Sequence, residues 1–485
     1  MSRGRGLAPA ATAIAGLAAV FALTAPGTAT AQERLEANDF VIDALATPVL
    51  ASGRITGLGG AYTALAEGID GAGWNPAAYA ARALWELDQW EWELTGSVVF
   101  PGSFTEQDFF LNGQDEGFGI DDIFFLGVGG RLQFGDIGFG AQIESQFYTL
   151  TPEAELPATA RFANIRVGGG YALLDGQVTV GLGARAVNMA ISAGGEDLVN
   201  FTGVGAEVGG LLRLADQPFR VGASLRTPVS STVVEDPMGG GVPSEVQGFV
   251  LPREVYLPWE VQAGFAFQIG PRPLNRRFVR KKDVEAGLER TMQRRRCERE
   301  RAQVLRELEA AGEPAPELSC PGLRRRARDP AWRRAERERM RVEQEALDEA
   351  VERAEADVDA LWEELYEALP RRYFLVSVDA ILQGPTEDGV GIDAFLAQER
   401  RTRGDGWSFG FRLGVEGEPW PDRMKLRAGT YVEPARYEGV RPRTHGTFGV
   451  DFRVIEIFGI DIRASFLVDG ARDYFSWGVG VGSWH

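Results

Sequence analysis

The chain has very few of the residues on which metal and redox sites depend. Only 2 of its 485 residues are cysteine and only 2 are histidine. Cys297 and Cys320 are far in sequence from both His445 and His485, which argues against a zinc site. We therefore expect no metal ion and no other cofactor.

Long apolar runs are equally scarce. A membrane-spanning helix needs about 20 consecutive apolar residues, and no such run follows residue 31. The one extended apolar stretch, residues 7–25, comes after Arg3 and Arg5 and is followed by small residues at 29–31. This order is typical of a secretory signal peptide, so we predict that the first 31 residues are removed and that the protein is exported.

Positive charge is also in deficit. The chain has 51 lysine and arginine residues against 69 aspartate and glutamate residues, a formal net charge of -18. An acidic balance of this size argues against nucleic acid as a partner. What the chain has in quantity is glycine, with 61 residues, and aromatic residues, with 28 Phe, 11 Trp and 10 Tyr. This composition favours β-structure.

Apolar and polar side chains alternate along many segments. In the first such segment Trp90, Trp92 and Leu94 would face one side, while Glu91 and Glu93 would face the other. Apolar-out and polar-in alternation is typical of outer-membrane barrel strands, and the number of segments predicts an antiparallel barrel of about 14 strands. The segments are residues 85–100, 123–134, 136–150, 160–174, 177–193, 200–215, 219–235, 254–270, 372–386, 407–418, 425–438, 444–457, 459–472 and 473–484.

The connections between these segments alternate in length. Even-numbered connections are short, as at Gly135, whereas odd-numbered ones are long and polar, as at residues 101–122 and 235–253. Outer-membrane barrels have short periplasmic turns and long outer loops, while a soluble β-sandwich has no reason to sort its loops in this way. The pattern therefore favours a multi-pass barrel in the outer membrane, with its short turns in the periplasm.

Residues 272–371 interrupt the barrel pattern between the eighth and ninth segments. Glycine becomes rare, charge density rises, and residues 312–316 break the segment into two predicted helices. We predict a helical hairpin that lies in the periplasm, either self-contained or docking a protein partner. The second helix has a seam of coiled-coil type. The seam residues are Leu347, Val351, Ala354, Val358, Leu361 and Leu365.

Both cysteines fall in this insert. Export places them in an oxidising compartment, and the chain between residues 311 and 320 is long enough to run back along the first helix. A Cys297 to Cys320 disulfide that staples the hairpin is therefore one interpretation. Two unpaired thiols are the alternative.

Small residues dominate the segment before the first strand, residues 32–84. Three glycines within residues 57–60 allow close approach of the backbone, residues 61–66 favour one short helix, and Asn75 followed by Pro76 is typical of a helix start. The segment is either built to fit inside another structure or an ordinary loop between short helices.

Residues 54–68, RITGLGGAYTALAEG, together with Trp74-Asn75-Pro76-Ala77, resemble the N-terminal plug of FadL-type outer-membrane barrels. This family transports hydrophobic compounds and long-chain fatty acids, and PorV-type barrels share the plug. The resemblance implies a plug at residues 32–84 and barrel strands at 85–271 and 372–485. It also implies passive transport of hydrophobic small molecules by a protein surrounded by outer-membrane lipid and lipopolysaccharide.

The resemblance makes several plug residues candidates for ligand contact, although packing of the plug explains them equally well. The family usually continues the Asn-Pro-Ala motif with glycine, whereas Ala78 follows here, which puts the detailed plug conformation in doubt. The candidates are Leu58, Tyr62, Leu65, Trp74, Asn75, Pro76 and Tyr79.

Two other functions compete with transport. The relation to PorV-type barrels implies a role in protein secretion or surface attachment through partner docking. An outer-membrane lipase would need a working serine and histidine, and Ser408 lies in a Gly-x-Ser-x-Gly pattern. That pattern must sit at a strand-to-helix turn, whereas here it opens a predicted strand. We therefore interpret it as a chance match and predict that the protein is not an enzyme.

Overall fold

The computed structural model describes most of the chain outside its N-terminal segment. The described residues are 33–82, 90–101, 107–114, 123–150, 158–193, 196–232, 245–246, 249–275, 370–457 and 460–483, with separate positions between 287 and 356. The predicted signal peptide, residues 1–31, lies outside them. Among the described helices, none is long and apolar enough to cross a membrane.

Fourteen antiparallel strands pair edge to edge, and the last pairs with the first to close a barrel. The predicted fourteen-stranded fold is therefore confirmed. The barrel strands are β1 (Trp90–Pro101), β2 (Ile123–Phe134), β3 (Ile137–Leu150), β4 (Ala158–Leu173), β5 (Val178–Ala193), β6 (Glu196–Leu212), β7 (Phe219–Arg226), β8 (Glu260–Ile269), β9 (Phe374–Gln383), β10 (Ser408–Trp420), β11 (Met424–Glu433), β12 (Arg443–Ile457), β13 (Ile460–Ala471) and β14 (Tyr474–Ser483).

The outward face of the barrel is apolar. Trp90 and Leu94 are 56% and 61% exposed, whereas Glu93 between them is 7% exposed. Phe100, near the other end of β1, stacks on Trp477 with ring centroids 4.8 Å apart. About ten residues of tilted strand separate Trp90 from Phe100, which gives roughly 25 Å along the barrel axis, the height of the apolar band in membrane barrels. Lipid, and not water, suits such a surface.

The two ends of the barrel differ in their connections. At one end, which we call the short-turn end, residues 135–136 join β2 to β3 and residues 421–423 join β10 to β11. At the other, the long-loop end, residues 227–259 join β7 to β8 and residues 384–407 join β9 to β10. The predicted alternation of lengths holds only in part, because only two residues separate β5 from β6 and β13 from β14, both at the long-loop end. The placement of the short turns in the periplasm stays a prediction.

The seventh and eighth strands are shorter than the sequence predicts. Alternation suggested strands at 219–235 and 254–270, but β7 ends at Arg226 and β8 begins at Glu260. The remaining residues form a second sheet against the inner wall, and a strand with one buried face alternates there as it does in the wall. The second sheet, in spatial order, consists of Val229–Thr232, Glu254–Leu257, Val41–Asp43 and Gly389–Val390.

Residues 33–82, which we call the luminal segment, run through the barrel from one end to the other. The backbone N–H of Leu35 donates to the carbonyl of Gln398 at the long-loop end. At the short-turn end the guanidinium of Arg82 donates to the carbonyl of Gly135. The segment contains two short helices, α1 (Gly53–Gly57) and α2 (Gly68–Ala72), and a 3-10 helix at Pro76–Ala80.

One local prediction in this segment is wrong, and one is confirmed. Residues 61–66 form turns, not the expected helix, because the N–H groups of Tyr62 and Thr63 donate to the wall carboxylate of Asp379 at 2.9 and 2.8 Å. Asn75 caps the 3-10 helix as expected, since its side chain accepts a hydrogen bond from the N–H of Ala77 and Pro76 takes the first helical position.

The insert between β8 and β9 is described only at separate positions. Those between residues 287 and 310, and between 341 and 356, are helical and mostly exposed. Cys297 is disulfide-bonded, but Cys320 lies outside the described residues, so the pairing stays a prediction. Apart from Val351, the predicted seam residues also lie outside them. The hairpin therefore remains a prediction.

Candidate functional site

The lumen of the barrel divides into two halves of different chemistry. On the strands β3 to β6, inward positions near the long-loop end are apolar, and inward positions a few residues closer to the short-turn end are charged. We call these halves the outer chamber and the charged layer. The buried apolar residues are Tyr148, Phe162, Met189 and Phe201, and the buried charged residues on the same strands are Glu144, Arg166, Arg185 and Glu207.

The outer chamber contains a cavity that is partly open to solvent. Aromatic rings form much of its wall, since Phe109 meets Phe110 edge to face at 5.1 Å and Tyr148 lies 5.7 Å from Phe109. Phe162 and Ile392 complete the apolar lining. The polar residues of the lining are Thr47, Gln146 and Arg403. Such a site can bury an apolar molecule against its aromatic rings.

Residues 44–50, which we call the arm, form the floor of this cavity. Residues 44–48 line it directly. The hydroxyl of Thr47 donates to Glu433 at 2.5 Å, and the N–H of Val49 donates to the hydroxyl of Tyr431 at 3.2 Å. Both partners lie on β11, so the arm is held to the barrel wall by two hydrogen bonds.

Beneath the chamber, the luminal segment packs against glycines on the inner wall. A Cβ at Gly222 would overlap the carbonyl of Thr63, one at Gly181 would overlap the backbone of Pro76, and one at Gly138 would overlap the carbonyl of Tyr79. Glycine is needed at these wall positions because two backbones approach each other there. The small-residue composition of the wall therefore fits the segment that it encloses.

Buried ion pairs tie the same segment to the wall. Glu67 is within 2.6 Å of Arg220 and 3.5 Å of Arg213, and Glu416 lies 3.1 Å from Arg54. Burial alone would lower the pKa of Arg54, but the Glu416 carboxylate raises it well above its ordinary value. A further pair joins α2 to β13, because Arg463 donates to Asp70 at 3.0 Å. These contacts fix both the position of the luminal segment and the direction in which it runs through the barrel.

The seven candidate ligand residues predicted from the sequence lie in this packed region. Leu58, Tyr62 and Tyr79 are no more than 1% exposed, between the luminal segment and the wall. Leu65 lines a small charged pocket near the short-turn end. None of the seven lines the cavity of the outer chamber. Their contact with a ligand therefore stays a prediction.

The remaining three candidates have structural contacts. The side chain of Asn75 donates to the carbonyls of Thr63 and Gly210, and Pro76 contacts Gly181 of the wall. The indole N–H of Trp74 donates to a backbone carbonyl of the luminal segment at 3.0 Å. Trp74 is partly exposed, so it is the one of these three with open surface.

Sequence reasoning did not find the aromatic wall of the chamber. Phe109 and Phe110 lie in an acidic loop, which hides them among residues expected to be solvated. Tyr148 and Phe162 occupy inward positions where a water-filled barrel would have polar residues. The available signal was an aromatic residue on the polar side of the alternation, close to a long connection.

The contacts of Ser408 and His445 do not fit the catalytic arrangement that a Gly-x-Ser-x-Gly pattern would require. Ser408 is the first residue of β10, and its hydroxyl accepts a hydrogen bond from Arg436 at 2.9 Å. Both ring nitrogens of His445 contact carboxylates, with Nε2 2.7 Å from Glu433 and Nδ1 2.9 Å from Asp469. These two residues therefore do not form a nucleophile and base pair.

Comparison with known proteins found similarity of structure only. No family model matches the sequence, and no curated protein matches it. A Pseudomonas aeruginosa FadL homologue has 9% identity and a TM-score of 0.47, covering 90% of this chain and 99% of its own. The Ralstonia pickettii toluene transporter TbuX has 10% identity and a TM-score of 0.45, covering 91% and 99%. The CymD monoaromatic hydrocarbon channel has 10% identity and a TM-score of 0.45, covering 89% and 96%.

The closed barrel, its apolar outward face and the segment inside it define a multi-pass outer-membrane barrel with an occupied lumen. The chain is similar in overall outline to the FadL-type structures above, as the plug motif suggests. The relation to PorV-type barrels stays a prediction.

Proposed function

We propose that the protein carries hydrophobic small molecules passively across the outer membrane. The observation that supports this most directly is the apolar outer chamber. Porin lumens are polar because water and hydrated solutes pass through them. A cavity walled by Phe109, Phe110, Tyr148 and Phe162 instead favours molecules that leave water on entry. The long-loop end would then be the entrance.

The proposed route continues through the region that the luminal segment occupies. A ligand that leaves the chamber meets the arm and then the charged layer, so the segment must shift for it to pass. Leu58, Leu65 and Trp74 are the apolar residues that such a ligand would meet next. The aromatic lining of the chamber suits a monoaromatic hydrocarbon or one end of a long-chain fatty acid.

Uptake by cells with and without the gene tests the proposal. We expect Phe162→Gln to lower uptake of labelled toluene or labelled fatty acid roughly tenfold or more, because the buried amide would lack a partner when an apolar ligand is bound. Phe162→Leu is the matched control, since it keeps the site apolar, and it should retain most of the uptake. Both variants should migrate as folded barrels on unheated gels. Equal uptake by the Gln variant and the wild type would exclude the chamber as the route.

A second proposal concerns the insert and follows the relation to PorV-type barrels. The described positions of the insert are helical and mostly exposed, at the barrel end that otherwise has short turns. Such a surface suits a periplasmic protein partner involved in secretion or surface attachment. Purification with and without residues 272–371, followed by identification of co-purifying proteins, tests this idea. Normal uptake and no insert-dependent partner would remove the docking role.

A further inference from the structure

His445 lies in a fully buried cluster beneath the outer chamber. The side chain is 1% exposed, and Glu433 and Asp469 are 0% exposed. Carboxylate oxygens only accept hydrogen bonds, and each ring nitrogen of His445 faces one, at 2.7 Å for Nε2 and 2.9 Å for Nδ1. Each of these two carboxylates meets a donor from the ring only if both ring nitrogens carry a proton. The geometry therefore favours the imidazolium form of the ring.

Charge balance within the cluster supports the same assignment. Arg443 donates to Glu433 from Nε at 2.8 Å. The same Nε also lies within hydrogen-bond distance of Nε2 of His445, at 3.2 Å, but the 2.7 Å contact between Nε2 and Glu433 is shorter and needs a proton between the two atoms. One guanidinium and two carboxylates leave one negative charge, which the imidazolium balances. A neutral ring would leave a buried carboxylate uncompensated.

All elements packed against the ring contribute to this environment. Tyr431 stacks on the ring at 4.2 Å between centroids, and Tyr474 approaches it edge to face at 4.9 Å. The carboxylate of Asp108 points away, since it accepts from the N–H groups at residues 112 and 113. The titratable and charged groups around His445 are Tyr431 and Glu433 on β11, Arg443 on β12, Asp469 on β13, Tyr474 on β14 and Asp108 in the loop before Phe109.

The two carboxylates that face His445 also hold the arm. Glu433 accepts directly from Thr47. Asp469 accepts from the hydroxyl of Tyr431 at 2.7 Å, and that hydroxyl in turn accepts from the N–H of Val49. Protonation of one ring is thus connected to the hydrogen bonds at Thr47 and Val49. The start of the arm is held separately, because Arg403 donates to the carbonyl of Leu45 at 2.6 Å and the N–H of Ala44 donates to the carbonyl of Tyr256 at 3.0 Å.

The same cluster also holds one side of the chamber wall. Arg443 donates from Nη1 to the carbonyl of Asp108 at 2.6 Å. The next residue, Phe109, lines the cavity and stacks on Tyr474 at 6.3 Å. A change at His445 would therefore reach the floor and the wall of the chamber together.

We propose that protonated His445 is a latch that keeps the chamber floor closed, and that loss of one ring proton to solvent releases the arm. The neutral ring would present a lone pair to one carboxylate in place of a donor. The lone pair and that carboxylate would repel each other, and movement of the carboxylate away from the ring would displace the group that it holds, either Thr47 or Tyr431. The consequence for passage of a ligand rests on the proposed transport function, whereas release of the arm does not.

Hydrogen exchange of the purified protein in lipid nanodiscs, without any ligand, tests the latch. Exchange at Val49 would be compared, after correction for the intrinsic rate, between about pH 5 and a higher pH at which an NMR titration shows the labelled ring to be neutral. We expect corrected exchange in the arm to rise about tenfold at the higher pH, as for loss of a charge-assisted hydrogen bond. Equal corrected exchange at both pH values in the wild type would overturn the proposal.

Variants identify the responsible group. His445→Gln cannot donate to both carboxylates, so it should exchange fast in the arm at both pH values. Thr47→Val removes one anchor but keeps the ring, so exchange should rise while its pH dependence remains. Two control variants should behave as the wild type. They are His485→Ala, which leaves His445 as the sole histidine, and Asp388→Asn, in an exposed pair with Arg253.

Should His445→Gln fail to fold, the wild-type pH comparison still decides, together with an NMR titration of the labelled ring in the His485→Ala background. A ring that stays neutral down to pH 5 would refute the latch.

Discussion

The outer chamber and the charged layer are built on the same strands, yet opposite chemistry fills them. On β3 an inward Tyr148 is followed, four residues nearer the short-turn end, by Glu144, and on β4 an inward Phe162 is followed by Arg166. The chamber is held by packing, which is non-directional and tolerates replacement of one apolar occupant by another. The charged layer is held by directed ion pairs, and these do not tolerate replacement of one residue by another of similar size. The comparison indicates that the outer chamber is suited to receive a ligand and that the charged layer is suited to hold the luminal segment.

The difference predicts where a change is most disruptive. Breaking a buried ion pair by removing one partner costs about 3–5 kcal/mol, because the other charge remains buried. Apolar replacements of similar volume usually cost less than about 1.5 kcal/mol. Substitutions in the charged layer should therefore alter the closure of the lumen, and apolar substitutions in the chamber should alter which ligand enters.

The largest expected effect follows removal of the luminal segment itself. Deletion of residues 32–84 should raise permeability to unrelated small solutes and lower selective uptake of apolar ones, since the lumen would lose its internal partner. Conductance in planar bilayers and growth in the presence of large antibiotics measure the first effect. If permeability stayed at the wild-type level, the luminal segment would not be what closes the barrel.

A smaller effect of the same kind is expected from Glu416→Gln. The amide keeps the shape of the side chain but leaves Arg54 and Arg427 facing it without a carboxylate, which should destabilise the layer by about 3 kcal/mol or more. We expect a leakier barrel and a lower thermal transition. Arg253→Gln is the matched control, because its pair with Asp388 is exposed and worth at most about 1 kcal/mol. Similar results for the two variants would mean that the layer is not essential for closure.

Gly222→Val should have the smallest effect of the three. The new side chain would overlap the carbonyl of Thr63, so the luminal segment must move locally at a cost of about 1–3 kcal/mol. Gly406→Val is the control, since a Cβ there would meet no atom within 4 Å. Limited proteolysis of the luminal segment compares them. Equal protease resistance would show that close approach at Gly222 is not required.

Much of the wall was predictable, because a strand between lipid and lumen must alternate with period two. The segments predicted around Trp90, Phe139 and Phe466 all became barrel strands with bounds that differ by a few residues. The prediction was wrong for the described residues 227–232 and 254–259, where Val229 and its neighbours leave the wall and line the lumen. Alternation of apolar and polar residues shows only that one face of a strand is buried. It does not distinguish a strand of the barrel wall from a strand that packs against the wall.

The sequence by itself determined the strand count, the long connections after β7 and β9 and the cap at Asn75, because each depends on neighbours along the chain. Tertiary structure alone decided the division of the lumen. Thr47 and Phe109 are far from His445 in the sequence. Only closure of the barrel brings the three residues together around one chamber. The same holds for residues 61–66, whose helix propensity yielded to the carboxylate of Asp379. Contacts between distant residues carry no local pattern, so their chemistry becomes visible only when the chain is folded.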